Sequence, residues 1–166
     1  MLEPLLPAHA KALFAHLRDE RLYRYHRGRP ANVAELEERF RKWVARRSPD
    51  GSQTWLNYAI RCVDGVYVGW VQATLAEHVA TIGYDIFPSF WRHGYAKEAC
   101  RKLISTLFLE HKVRRIDAVV DEENAASIGL LETLGFALAW TGPSEDMPGR
   151  KDRRYELLGQ RFVEKP

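Results

Sequence analysis

Long apolar runs are missing from this chain of 166 residues: no stretch approaches the roughly 18 consecutive apolar residues that a spanning helix needs. The first residues show no basic region leading into an apolar stretch with a small-residue cleavage site, so the expectation is a cytoplasmic protein with no membrane partner. Cysteine is scarce. Cys62 and Cys100 fall in an apparent strand and an apparent helix without metal-ligand spacing, which favours two buried free thiols over a disulfide and gives no metal site. The formal charge is +3, and the excess is scattered over Arg46-Arg47, Arg114-Arg115 and the stretch from Arg150 to Arg154. No run of five or six basic residues forms a track, so a small basic nucleic-acid-binding domain is the remote alternative and no nucleic-acid partner is expected. Repeats and low-complexity segments are also absent, and the expectation is one domain over residues 1–166.

What is present is a globular balance, 46% hydrophobic and 28% charged. Ala10, Leu13, Phe14 and Leu17 form a helical stripe within residues 8–18, and a polar segment rich in arginine and tyrosine runs on from Arg18 to Pro30. Asn32 as N-cap with Glu35 three residues on signals a second helix, whose apolar face reads Leu36, Phe40, Trp43 and Val44. The middle of the chain is strand-like: Thr54 to Val63, an Asp64-Gly65 turn, Val66 to Leu75, then Val79 to Phe87, ended by Pro88. A helical stripe runs from Gly94 to about Lys112, a strand covers Ile116 to Val120, and a helix from about Asn124 to Leu134 stops at Gly135. Phe136 to Thr141 and Arg154 to Leu158 close the chain as two strands. Hairpins followed by a β-helix-β crossover predict an α/β (α+β) fold, a mixed sheet with helices on its faces.

Two segments carry candidate chemistry. In the first, the strand ending Ile82-Gly83-Tyr84-Asp85-Ile86-Phe87-Pro88 passes through Ser89-Phe90 and Trp91-Arg92-His93-Gly94-Tyr95-Ala96 into a helix. A helix start leaves about four N–H groups without internal partners and carries roughly half a positive charge. Gly94 and Ala96 let backbone approach a phosphate closely, and Arg92, His93 and Lys97 add positive charge; the alternative is a plain strand-helix turn. In the second, Asn124 opens a helix after a strand and Ser127 stands one turn on. Asn124 reads as an N-cap, or as a donor and acceptor for an amide-rich ligand. Ser127 reads as a back-bonding hydroxyl, or as one presented to a reacting end.

Together these segments resemble the GNAT superfamily of acyl-CoA N-acyltransferases, and most closely its RimJ/RimL branch, which acetylates protein N-terminal amines. The superfamily's pyrophosphate loop is matched from Trp91 to Ala96, with tryptophan first as is common in that branch; the branch's Gly-Tyr…Pro stretch is matched by Gly83 to Pro88 and its Glu-Ala pair by Glu98-Ala99. Its asparagine signature is matched by Glu123, Asn124, Ser127, Glu132, Leu134, Gly135 and Phe136. Its first strand and first helix are matched by Leu2-Glu3-Pro4-Leu5 and the helical stripe within residues 8–18. The resemblance covers nearly the whole chain. It implies a central, mostly antiparallel sheet flanked by helices, acetyl-CoA as cosubstrate, no metal, and direct attack of a primary amine on the thioester in a ternary complex.

The resemblance also implies where each part lies. Amides around Ile86 and Phe87 would face the carbonyl oxygen, the amides of Arg92, His93, Gly94, Tyr95 and Ala96 with Lys97 would take the pyrophosphate, and Asn124 would contact the pantetheine arm. Ser127 is the candidate for protonating the thiolate. Where many members carry a glutamate base this chain has Thr81, and where many carry a tyrosine acid it has Leu131. Asp85, on the same strand face as Thr81, is the candidate base or water-orienter, or else a solvated strand-end carboxylate; Glu77 and His78 are further candidates or turn residues. The acceptor, a peptide or small-molecule amine, would be walled by the segment holding Tyr23, Arg24, Tyr25, His26 and Arg27 and by the loop holding Glu145, Asp146 and Arg150, with Tyr25 and His26 as the named contacts. A CoA-binding module that has lost catalysis is the alternative, and edge strands in such a sheet leave room for a homodimer.

Overall fold

In the computed structural model, which describes residues 1–25 and 28–160, seven strands form one sheet in the order β1-β2-β3-β4-β5-β7-β6. The strands are β1 (Leu2–Pro4), β2 (Thr54–Arg61), β3 (Tyr67–Ala76), β4 (Val79–Ile86), β5 (Arg115–Asp121), β6 (Ala137–Pro143) and β7 (Lys151–Leu158). The helices are α1 (His9–Phe14), α2 (Val33–Trp43), α3 (Tyr95–Leu109) and α4 (Ala125–Thr133), with 3-10 turns at His16–Arg18, Glu20–Arg24 and Pro88–Phe90. Every neighbouring pair is antiparallel except β4 and β5, which run parallel because α3 carries the chain from one to the other. The expected mixed sheet with helices on its faces is the architecture observed.

Strand alternation sorts the core into two layers. One layer packs Leu56, Val71, Ile82, Ile116 and Tyr155 against Leu103, Ile104 and Leu107 of α3 and Leu131 of α4. The other packs Ala59, Trp70 and Phe87 against Leu13 of α1 and Leu36 and Phe40 of α2. Helix α2 starts where its sequence says: Asn32 Oδ1 accepts from Glu35 N–H at 2.9 Å, and Glu35 Oε2 accepts in return from Ala31 N–H at 2.8 Å. Asn57 Nδ2 donates to Trp43 C=O at 3.1 Å and so ties the far end of α2 to β2.

Several boundaries differ from the expected ones. The first helix ends at Phe14 and continues only as a 3-10 turn at His16–Arg18. The β2-β3 turn takes Cys62 to Val66 out of both strands, closed by Cys62 N–H on Val66 C=O at 2.8 Å. Strand β7 starts at Lys151 rather than Arg154, because its charged first residues sit between β5 and β6 with a ladder on each side. Among the described residues no helix is long and apolar enough to cross a membrane, and no group of three or more His, Cys, Asp or Glu side chains converges as a metal site.

Both cysteines are free, but only Cys100 is buried; Cys62 is half-exposed in its turn, which corrects the expectation of two buried thiols. Burial pushes the Cys100 thiol up to about 12. Iodoacetamide at pH 8 should therefore modify the folded protein once, at Cys62, and reach Cys100 only after denaturation. Peptide mass mapping reads this directly, and early labelling of Cys100 would contradict the packing of α3.

Candidate active site

The β4-β5 ladder stops early. It pairs Val79 with Arg115, Ala80 with Ile116, Thr81 with Asp117 and Ile82 with Ala118, whereas β4 runs on to Ile86 and β5 to Asp121. On its other edge β4 stays paired with β3 as far as Ile86 opposite Gly69, and Phe87 N–H then donates to Val68 C=O at 2.9 Å. Alternate peptide groups in a strand point to opposite edges, so those of Tyr84 and Ile86 turn away from β3 into the gap that β5 has left. Of the two expected amides, Ile86 N–H faces the gap; Phe87 N–H is held by Val68 and its side chain is fully buried. Gly69 is required at the edge of this strand, since a Cβ there would lie 2.0 Å from Asp85 O.

At the mouth of the gap the chain turns into α3. Pro88 and Phe87 are buried, and Phe90 rests edge-on against Tyr95, with the His16 ring stacked 4.6 Å from Phe87. Trp91 folds back so that its indole N–H donates to Ile86 C=O at 2.5 Å, while Arg21 lies over its ring at 5.7 Å. Arg92 (φ 63) and Gly94 (φ 84) are both left-handed with His93 between them, an alternation that converges successive N–H groups on one concavity. The first helical bond of α3 is Glu98 N–H on Gly94 C=O at 3.1 Å. Among the described residues none of the backbone N–H groups from Arg92 to Lys97 donates to a protein acceptor, while the His93 ring turns its Nδ1 to Trp91 C=O at 2.7 Å. A Cβ at Gly94 would meet nothing within 4 Å, so the concavity is open. This fits an anionic ligand: unspent donors, the positive end of a 15-residue helix, and cationic Arg92 and Lys97 at its start.

Across the gap, β5 ends in a turn that sets α4. Asn124 Oδ1 accepts from Ser127 N–H at 3.1 Å, so Asn124 is the N-cap and keeps its amide NH₂ for other partners. Asp121, its side chain 2% exposed, accepts from Glu123 N–H at 2.9 Å and pairs with Arg150, whose Nε lies 2.7 Å from Oδ2 and whose Nη2 donates to Oδ1 at 3.1 Å. The same guanidinium reaches Glu123 Oε2 at 2.8 Å and Arg24 C=O at 2.8 Å. Tyr25 sits between Arg24 and Arg150, 5.2 and 5.4 Å from its ring centre, and donates its hydroxyl to Glu123 C=O at 3.3 Å. Arg150 thus joins three segments remote in sequence into one wall.

The expected site residues divide accordingly. Ile86, Arg92 to Lys97, Asn124 and Ser127 border the gap; Tyr25 and Arg150 meet at its far lip; His26 and Arg27 lie outside the described residues. Asp85 shares the α1/α2 face of β4 with exposed Thr81, and its charge acts on the half-buried Tyr23 phenol, whose pKa burial raises. Ser127 approaches from the α3/α4 face, where Tyr84 Oη–H donates to its carbonyl at 3.5 Å. Asp85 and Ser127 therefore serve opposite sides of the sheet. Leu131 is buried against the sheet and presents nothing to the gap. Sequence reasoning did not mark Asp121 or Tyr84: the first falls just past the expected strand Ile116 to Val120, and the second reads only as part of a Gly-Tyr pair.

The profile of the acetyltransferase (GNAT) domain family matches residues 1–137. The chain is 46% identical over 57 residues to p20 of Bacillus licheniformis, described as an uncharacterized N-acetyltransferase; the match covers 34% of this chain and 32% of that one, about a third of the relative's length. Among solved structures, spermidine N-acetyltransferase from Vibrio cholerae in complex with CoA and spermine is similar with a TM-score of 0.81 at 17% identity, over 98% of this chain and 97% of that one. RimL, described as a ribosomal L7/L12 alpha-N-protein acetyltransferase in complex with coenzyme A, is similar with a TM-score of 0.82 at 16% identity, over 95% and 92%. At these identities the likeness to the solved structures is one of fold.

Removing the Arg150 guanidinium would leave the buried Asp121 carboxylate without its counter-charge. Arg150→Met is expected to cost about 2–4 kcal/mol of stability, less than a fully enclosed pair because Arg150 is a quarter exposed. Urea denaturation measures this, and a loss below about 0.5 kcal/mol would show that the wall stands without the pair.

Proposed function

The chain belongs to the acetyltransferase (GNAT) domain family, and from that premise we propose that it transfers an acetyl group from acetyl-CoA to a primary amine, either a peptide N-terminus or a small amino-bearing metabolite. The observation that carries the reading is the set of unspent N–H groups from Arg92 to Lys97 opening on free space at the mouth of the split sheet. These groups, with Arg92 and Lys97, hold the pyrophosphate, and the Asn124 amide contacts the arm that leads from it. Bound there, the thioester supplies an activated acyl carbon within the gap. Ile86 N–H donates to the carbonyl oxygen as negative charge grows on it.

The amine approaches from the α1/α2 face, past Tyr25 and the Arg150 wall, and must arrive neutral. Asp85, on that face, takes its proton directly or through water. A C–N bond forms and the C–S bond breaks. Two protons leave nitrogen: Asp85 takes the first and passes it to solvent, and takes the second once the C–N bond has formed. Ser127 gives its hydroxyl proton to the departing sulfur on the other face and is reprotonated from solvent, so sulfur gains one proton and one is released. A wall of tyrosine with both charge signs suits a polar acceptor. Exposed Thr81 and buried Leu131, standing where many members of the family carry a base and an acid, favour a second reading, a CoA-binding module without turnover.

A thiol-release screen separates the two. Acetyl-CoA with peptide N-termini, polyamines, aminoglycosides and amino acids should give thiol with at least one amine; CoA binding by thermal shift with no release across the panel would favour the module. Gly94→Asp places a side chain and a negative charge in the concavity and should weaken CoA binding about tenfold or more while the fold survives. Calorimetry on the folded variant reads this, and undiminished affinity would contradict the phosphate assignment.

A further inference from the structure

We propose that Tyr84 is a positioning residue for Ser127: its hydroxyl reaches from β4 across the open part of the sheet to the Ser127 carbonyl and holds the first turn of α4 where the serine meets the departing sulfur. This rests on the acetyl-transfer reading of the same site. Tyr84 lies two residues beyond Ile82, the last residue of β4 paired with β5, and on the same face. At that height no ladder joins the two halves of the sheet, so any tie between β4 and α4 must come from side chains.

The tie is specific. Ser127 N–H is held by Asn124 Oδ1 at 3.1 Å and Ser127 C=O by Tyr84 Oη–H at 3.5 Å. The peptide groups on both sides of the Ser127 Cα are thus anchored, which fixes the direction of its Cα–Cβ bond and the arc its hydroxyl sweeps. A carbonyl oxygen has two lone pairs, so it serves both the helix ladder and the phenol.

Apolar packing holds this turn through Ile128, which rests against the core. Ala125 and Ala126 are exposed, and Ser127 and Ile128 are only half-buried. The other end of α4 is secured independently, by Leu131 in the core and by Tyr155 Oη–H on Glu132 Oε1 at 3.1 Å. Burial raises the Tyr84 phenol above its ordinary value, so it remains a donor at any working pH. Gly83 beside it points to the opposite face, against Gln72, and does not share in the tie.

The test compares Tyr84→Phe, Ser127→Ala and the double variant with acetyl-CoA and whichever amine of the thiol-release panel turns over fastest. Tyr84→Phe keeps the ring and removes only the hydroxyl. Its kcat should fall about tenfold with CoA affinity within about twofold of the parent, and the double variant should be no slower than Ser127→Ala alone. A drop of the same factor in the Ser127→Ala background, or an unchanged kcat in Tyr84→Phe, would overturn the proposal. A parental rate in Ser127→Ala would instead remove serine from the chemistry and take the proposal with it, so the two failures are told apart. A readout independent of turnover is amide hydrogen exchange with CoA bound. It should quicken at residues 127–131 in Tyr84→Phe and stay unchanged in α3, and equal exchange at residues 127–131 in parent and variant would equally overturn the inference.

Discussion

The early end of one hydrogen-bonded ladder organises this molecule. Past Ile82 and Ala118 the parallel strands β4 and β5 part, and each keeps its other neighbour. A sheet interrupted at its centre has two internal edges whose peptide groups face each other without pairing, and such groups are costly to leave unmet. The cost is smallest if the gap is filled by something with peptide-like donors and acceptors of its own. The amide-bearing arm of the CoA thioester proposed above has that character.

Around the gap each boundary is fixed by a different device. The near lip is backbone, a loop of alternating handedness packed on Phe87, Phe90 and His16. The far lip is electrostatic, with Arg150 gathering Asp121, Glu123 and the Arg24 carbonyl. A buried pair of this kind adds little net stability over apolar packing, but it specifies which segments meet. Here it specifies that the turn before α4 and the segment carrying Tyr25 share one wall.

Much of this was legible in the sequence because it is local. The helix start at Gly94, the Asn124 cap, the Asn32-Glu35 cap and the apolar stripe of α3 depend on neighbours within one or two turns, and each appears where its residues indicate. The interruption of the ladder was not legible, because pairing of β4 with β5 is decided by α3 and the core beneath it. The commitment of Phe87 N–H to Val68 was hidden for a related reason: it continues the β3-β4 register one residue past the strand end, a pairing decided between strands and not by local sequence. Strand β7 looked three residues shorter because Lys151-Asp152-Arg153 breaks hydrophobic alternation, although in the fold those residues are paired on both sides. Asp121 and Arg150 are 29 residues apart, and nothing in either's surroundings announces the other.

The indole of Trp91 has an effect beyond bracing the loop. By donating to the Ile86 carbonyl, it occupies a lone pair of the oxygen at the very tip of β4. The oxygen at the tip is thereby partly spent, and the Ile86 N–H beside it is left as the donor turned to the gap. A guest oxygen gathering electrons would meet attraction there and less repulsion than a bare carbonyl would give, so a residue that never touches the guest tunes what kind of atom is welcome.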